Sequence, residues 1–410
     1  MIKHIQILFV FLLVVVSFRF FEARFLNESF TNYLVVLYVL SAIALSMPYA
    51  FPKRIGFVFP IQLIVLSMII SIVMARISWG QSLKETILVT VPLMLWFFFF
   101  YLLNIKIPIK IIEGIILIYG ILYILLYFYQ LTHNQTILFG GNEFLEERGT
   151  VRILIGGGGI FFLSSFLCLN KLTTQKSRRW LWITLSILGI VIPFLQATRQ
   201  FIAGVLIIYL FHFLKDLSFF RKSIILASFI GLLFYLSHSD NDIIKGIIEA
   251  QQKTSQEGKE YIRIQSGTYF LTEFSPDNFS RVLGNGVPYE EISEYGKFVE
   301  DLKQVGFYLS DVGIISVYTM FGILAIIAYI LIWIKSLTLP LPKKYYYLKY
   351  YLWFLFITSL TSDNVYSYNY LISTVFTLYI YQILYMEHVR LNNDFRTSQL
   401  ESHGQGMGAV

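Results

Sequence analysis

Runs of about twenty apolar residues, rich in Phe, Ile and Leu, recur along the chain with short loops between them, as at 55–75 and 308–334. This feature limits the fold more than any other. The core of a bilayer solvates no backbone amide, so such runs must close their hydrogen bonds internally as helices, and none shows the period-2 alternation of a barrel strand. Composition agrees, with 56% hydrophobic, 18% aromatic and only 14% charged residues and a mean hydropathy of +0.66. A soluble domain carries roughly a quarter charged residues. The sequence therefore predicts an all-α polytopic membrane protein.

Twelve spans are expected, near 5–20, 33–51, 55–75, 86–103, 111–130, 153–169, 180–198, 200–214, 223–237, 308–334, 348–361 and 369–386. They divide the chain into spans one to nine (1–237), a polar segment (238–307) expected to be partly helical, spans ten to twelve (308–386) and a tail (387–410) expected to be disordered. With the N-terminus inside, 18 of the 32 basic residues fall on inner segments and 14 on outer ones, seven of these in the long segment, where basic residues orient the chain least. Both termini are thus expected on the cytoplasmic side and the 238–307 segment outside. The net charge of +7 follows from this asymmetry and gives no reason to expect a nucleic-acid partner.

The first span is read as retained, because Arg19-Phe20-Phe21-Glu22-Ala23-Arg24 after its apolar core lacks a small-x-small cleavage site. Cys168, the single cysteine, excludes an intramolecular disulfide, and the six histidines show no ligand spacing. Gly156-Gly157-Gly158-Gly159 lacks the Lys-Ser/Thr of a phosphate-binding loop, so close helix packing is the expected reason for it. Asp240-Asn241-Asp242 is an acid-x-acid triplet beside the membrane, which two carboxylates alone make a weak metal site.

Charges at span mouths carry more information, since the bilayer penalises them. Arg199 stands in the tight turn Leu195-Gln196-Ala197-Thr198-Arg199-Gln200 between the seventh and eighth spans, on the side where basic residues are disfavoured. It is either a snorkelling anchor or a ligand for phosphate, which its planar fork suits. Asp311 falls where the polar segment meets the tenth span, and is either a helix cap or a general base whose proton affinity rises with partial desolvation.

The order of Ala197-Thr198-Arg199, then Tyr261-Ile262-Arg263-Ile264 in the long segment, then Leu283-Gly284-Asn285-Gly286, then Phe321-Gly322-Ile323-Leu324 resembles the O-antigen polymerase and ligase superfamily over roughly the C-terminal half. The resemblance implies that Arg199 and Arg263 engage the diphosphate of an undecaprenyl-linked sugar donor. The remaining arginines expected on the outer side, Arg76, Arg148, Arg152 and Arg281, are equally candidates for that contact. The ligase branch has a histidine-asparagine pair about eleven positions before the glycine matching Gly322, where this chain has Ser310-Asp311. That departure favours a polymerase, with Asp311 placed in the role of base.

The expected function is therefore a metal- and cofactor-independent glycosyltransferase of the bacterial inner membrane, joining undecaprenyl-diphosphate-linked repeat units into a surface polysaccharide. Donor and acceptor glycolipids, membrane lipids and a chain-length regulator are its expected partners. An O-antigen ligase and a polysaccharide flippase are the alternatives, along with a peptidoglycan glycosyltransferase of the shape, elongation and division type. A glycoside hydrolase would need a facing carboxylate pair, and one acid at a span mouth fits that poorly.

Overall fold

The computed structural model describes residues 2–52, 54–141, 145–147, 150–215, 218–237, 242–258, 261–290 and 292–406. Its helices are α1 (Ile2–Ser17), the four-residue turn α2 (Arg19–Glu22), α3 (Glu28–Ser46), α4 (Val58–Trp79), α5 (Leu83–Thr90), α6 (Phe98–Ile105), α7 (Ile109–Thr132), α8 (Gly158–Thr174) and α9 (Arg179–Leu195). There follow α10 (Arg199–Leu214), α11 (Phe219–Ser237), α12 (Asp242–Glu257), α13 (Ile262–Thr272), α14 (Asn278–Leu283), α15 (Glu294–Gln304), α16 (Ile314–Thr338), α17 (Tyr347–Thr358) and α18 (Tyr368–Gly406). Between α7 and α8 a small antiparallel hairpin pairs β1 (Leu145–Glu147) with β2 (Thr150–Arg152).

Each of the twelve apolar segments falls on helix. Among the described residues, five stretches are both long and apolar enough to cross a membrane: Glu28–Tyr49, Val58–Trp79, Leu83–Ile105, Ile109–Thr132 and Ile314–Thr338. The third of these runs through α5, a tighter 3₁₀ stretch over Val91–Phe97 and α6. Pro92 there has no amide to bond to the preceding turn, which favours the tighter winding. Apolar side chains such as Leu37, Ile77, Phe211 and Ile334 stay exposed on the outside of the bundle. Faces of that kind suit hydrocarbon rather than water.

The bundle is organised around α8, whose middle is buried throughout and which packs against α7, α9, α17 and α18. Phe162 and Phe354 meet at 4.3 Å between ring centroids, and Phe166 joins them. Helices in lipid gain nothing from leaving water, so close backbone approach does more of the work. The glycine run supplies it: a Cβ on Gly159 would lie 2.7 Å from the Tyr370 Cα and 2.8 Å from the Asn369 carbonyl oxygen. Packing is thus one reason for the four glycines.

The 238–307 segment departs from a purely solvated loop. Phe270 and Phe274 of α13 and its C-terminal turn, Tyr295 and Val299 of α15, and Val312 form a second small core, with Trp79 stacked on Tyr295 at 4.6 Å. Beyond α14 the chain dives between α4 and α16. Helix α16 is broken at Gly322 (φ 73°, ψ −172°), and the carbonyls of Thr319 and Met320 released by the break accept from the amides of Asn285 and Gly286 at 2.9 and 2.8 Å. The two glycine motifs of the sequence therefore meet in space, so closely that a Cβ on Gly322 would sit 2.4 Å from the Val282 carbonyl oxygen. Asn285 is fully buried and satisfied: its Oδ1 accepts from Trp79 Nε1 at 2.8 Å, while its Nδ2 donates to Thr319 O at 2.8 Å and Ser275 Oγ at 3.0 Å.

Two further expectations change. The tail from 387 continues as helix to Gly406, uninterrupted by proline and with no glycine before Gly404. The apolar run expected from 308 becomes helix only at Ile314, because a 3₁₀ turn (Leu309–Asp311) and Gly313 at φ 57° come first. Asp240 and Asn241 of the acid-x-acid triplet lie outside the described residues, and among those described no group of three or more His, Cys, Asp or Glu gathers as a metal site.

Candidate functional site

One end of the bundle holds a cavity of about 240 Å³ at the meeting of four chain segments. They are the approach to α8, the α9–α10 turn, the 3₁₀ turn before α16 and the α17–α18 turn. Each brings polar groups for a local reason. Pro193 near the end of α9 and Ala197 at φ 49° fold the α9–α10 turn tightly, and Gln196 anchors it by donating to the Tyr123 hydroxyl at 3.1 Å and to Ile153 O at 3.2 Å. Thr198 and Gln200 face the cavity from this turn. Thr361 opposite donates to Gln200 Oε1 at 3.1 Å, closing the wall.

Helix α8 points its N-terminus at the same space. Its N-cap Gly157 (φ 90°) provides no side-chain cap, and Gly158, its first residue, lines the cavity. The Gly157 amide donates to Asn369 Oδ1 at 2.9 Å. An uncapped helix start favours negative charge through its unpaired amides and dipole.

Among the described residues, three charged side chains line the cavity: Arg152, Asp311 and Asp363. Arg152 enters half-buried from the end of β2. Asp311 sits on its 3₁₀ turn, and one of its oxygens, Oδ2, accepts from Arg263 Nε at 3.2 Å and Nη2 at 3.0 Å. The capping alternative for Asp311 is not realised, since α16 takes Gly313 as N-cap with no side-chain bond. Asp363 begins the short turn between α17 and α18. Burial, with the negative charge of Asp311 adding to it, pushes the Asp363 carboxyl up to about 6 despite hydrogen bonds that oppose the shift. The cavity thus holds two interacting carboxylates in different states of pairing.

The remaining arginines are distributed unevenly. Arg199 is the first residue of α10, adjacent to the cavity-lining Thr198 and Gln200, and its Nη1 donates to Gln251 Oε1 on α12 at 3.0 Å. It joins the α9–α10 turn to α12. Arg263 reaches the cavity rim through Asp311. Arg281 does not come to this site: it is exposed at the end of α14, with its Nη2 donating to the Thr272 carbonyl at 2.8 Å. The structure brings Arg152, Arg199, Arg263 and Asp311 to one region, and leaves Arg281 holding the end of α13.

Asp363 is the residue that sequence reading passes over. It belongs to Thr361-Ser362-Asp363-Asn364, a polar run at a span mouth, the same signal that singles out Arg199 and Asp311. Its presence also answers the objection that a lone acid cannot make a carboxylate pair. No protein-family model matches this sequence and no curated protein is similar to it, so the residues themselves must carry the functional reading.

Proposed function

We propose that this protein is a membrane glycosyltransferase that lengthens a surface polysaccharide from lipid-diphosphate-linked oligosaccharides. Twelve crossings, cytoplasmic termini and an outward-facing cavity form part of this reading. Its main support is the cavity itself: a carboxyl held near pH 6, arginines at and around the rim, and an uncapped helix start, all at the end of an apolar bundle. A lipid anchor can stay in the hydrocarbon while the sugars reach the polar end.

In the proposed reaction a hydroxyl of the acceptor sugar attacks C1 of the donor's reducing-end sugar. The new C1–O bond forms as the bond from C1 to the phosphate oxygen breaks, the electron pair leaves with undecaprenyl diphosphate, and the hydroxyl proton passes to a carboxylate. Asp363 suits that last role because its proton affinity lies near working pH, where a general base is most effective. Asp311, the base expected from sequence, is the anion that adds to the effect of burial on Asp363 and fixes Arg263. Arg152, Arg199 and Arg263 supply the cations for the departing diphosphate.

The second carboxylate supports a rival reading, hydrolysis of a lipid-linked glycan by an acid and base pair. Product analysis separates the two. Protein reconstituted in nanodiscs with lipid-linked repeat units extracted from the cells that carry the gene should yield a ladder of longer lipid-linked chains and free undecaprenyl diphosphate. Free oligosaccharide would establish the hydrolase. Movement of the glycolipid across vesicles with no new linkage would establish a transporter. In cells, deletion of the gene should collapse the surface glycan to a single repeat unit.

A further inference from the structure

A second, larger cavity of about 450 Å³ opens at the same end of the bundle, against the start of α3. Its floor is made by α2, where Arg19, Phe20, Phe21 and Glu22 all have φ between 52° and 59°. Four successive left-handed residues carrying a Cβ are unfavourable and persist only where their surroundings over-determine them. Here they do. Phe18 and Phe21 are buried against Tyr119, the amides of Arg24 and Gly140 bond Leu138 O and Glu22 O, and Ala23 bridges to Phe139.

The strained turn delivers chemistry to the cavity. Arg19 stacks over the Tyr368 ring at 4.7 Å, and the Glu22 Oε1 accepts from the Tyr368 hydroxyl at 2.6 Å. Arg24 donates its Nε to Gly140 O at 3.0 Å, and Glu28 in the first turn of α3 faces the same space. Among the described residues neither arginine forms an ion pair. The two cavities share a thin wall, since Tyr368 lines this one, its neighbour Asn369 lines the first, and Asn369 bonds Gly157.

Two guanidinium groups, two carboxylates and a tyrosine around one space provide donors and acceptors in balance. A diphosphate would meet the carboxylates as well as the arginines, whereas sugar hydroxyls can both give and accept hydrogen bonds. We infer that the cavity between α2, α3 and the start of α18 is a saccharide subsite that holds the acceptor chain beside the first cavity. The assignment of acceptor rests on the glycosyltransferase reading; the saccharide chemistry does not.

The test uses full-length protein in nanodiscs and, as probe, the repeat-unit oligosaccharide released by mild acid from the surface glycan of the cells that carry the gene, free of lipid and phosphate. Saturation-transfer NMR should show binding that weakens about tenfold or more in Arg24→Gln and in Glu28→Gln. Glu28→Gln keeps size and helix position, so it guards against misfolding in the first variant. Asp363→Asn should leave this binding unchanged, and Arg24→Gln should raise the acceptor KM about tenfold with little change in kcat. Saccharide binding lost in Asp363→Asn but kept in Glu28→Gln would overturn the assignment. So would binding of inorganic pyrophosphate, but not of the saccharide, that depends on Arg24. If the saccharide binds as described while no polymer forms, the subsite stands and the polymerase reading falls.

Discussion

Replacing Asp363 with asparagine separates a base from a structural acid, because the two roles predict opposite signs. The carboxyl is raised from 3.8 to about 6 mainly by burial. A shift of about two units corresponds to about 3 kcal/mol, taken as an upper value since the side chain keeps some contact with solvent. The folded pKa exceeds the unfolded one, so the folded state binds the extra proton between about pH 4 and 6. Stability from this group is therefore full below about pH 4, falls as pH rises, and is absent above about pH 6. Asparagine carries no charge to desolvate. Asp363→Asn should accordingly melt higher than wild type at pH 7.5, by up to about 3 kcal/mol less roughly 1 for the buried amide. At pH 4 the two should converge. Chain growth in the nanodisc assay should meanwhile fall about a hundredfold or more, the usual contribution of a general base. A variant that polymerises normally, or that is less stable than wild type at pH 7.5, would remove Asp363 from the proposed chemistry.

Burial would still raise Asp363 in Asp311→Asn, but the added push of a neighbouring anion would be gone, so the acid limb of the pH–rate profile should move part of the way to lower pH; an unmoved limb would disconnect the two carboxylates. Arg199→Lys keeps a charge but loses the fork, and should lower polymer yield about a hundredfold if the arginine contacts diphosphate, whereas a normal ladder would make it an interfacial anchor. Asn285→Ala strips the bonds to Trp79, Ser275 and Thr319 and should cost about 3 kcal/mol, read as a lower melting temperature and faster proteolysis of the α13–α15 region; unchanged stability would mean the wedge is held by packing alone. In a Cys168→Ser background, a membrane-impermeant thiol reagent on intact cells should label Ser255→Cys and spare Ser177→Cys, both of which are exposed; the reverse would invert the proposed orientation.

Much of the helical plan is legible in the sequence because it depends on one local property, apolar run length. The ends of the apolar runs are legible for the same reason, and they single out Arg199 and Asp311 as charges where a bilayer would make charge costly. What hydropathy cannot see is a helix break compensated from elsewhere. Burying Asn285 needs the carbonyls freed at Gly322, some forty residues on, so the wedge between α4 and α16 reads in sequence as polar loop. The bond from Arg281 to Thr272 is hidden in the same way, since only the fold of α13 and α14 brings its guanidinium to that carbonyl. Asp363 is hidden by company, as Thr, Ser and Asn around it make an ordinary turn signal. The left-handed turn at Arg19–Glu22 offers no glycine to announce it.

The pairing of Arg263 with Asp311 has more to do with position than with stability. Their side chains are 30% and 42% exposed, and ion pairs in such surroundings contribute about 1 kcal/mol at most. Helix α13 has a stronger hold in Phe270 and its neighbours, which bury against α15 and Val312. A weak pair at a cavity rim can exchange partners. A diphosphate offers Arg263 more negative charge and more acceptor oxygens than one carboxylate does, so under the proposed reaction the guanidinium passes from Asp311 to the donor. Asp311 then loses its neutralising partner, and its charge acts on Asp363 at full strength. Because like charge raises proton affinity, donor binding in the proposed reaction would make Asp363 a stronger base as the leaving group is secured. This coupling appears as an acid limb at higher pH in kcat, which reports the complex, than in kcat/KM, which reports the free protein. The Asp311→Asn profiles decide the point: the offset should vanish with the carboxylate, and an offset that survives there cannot arise from this exchange.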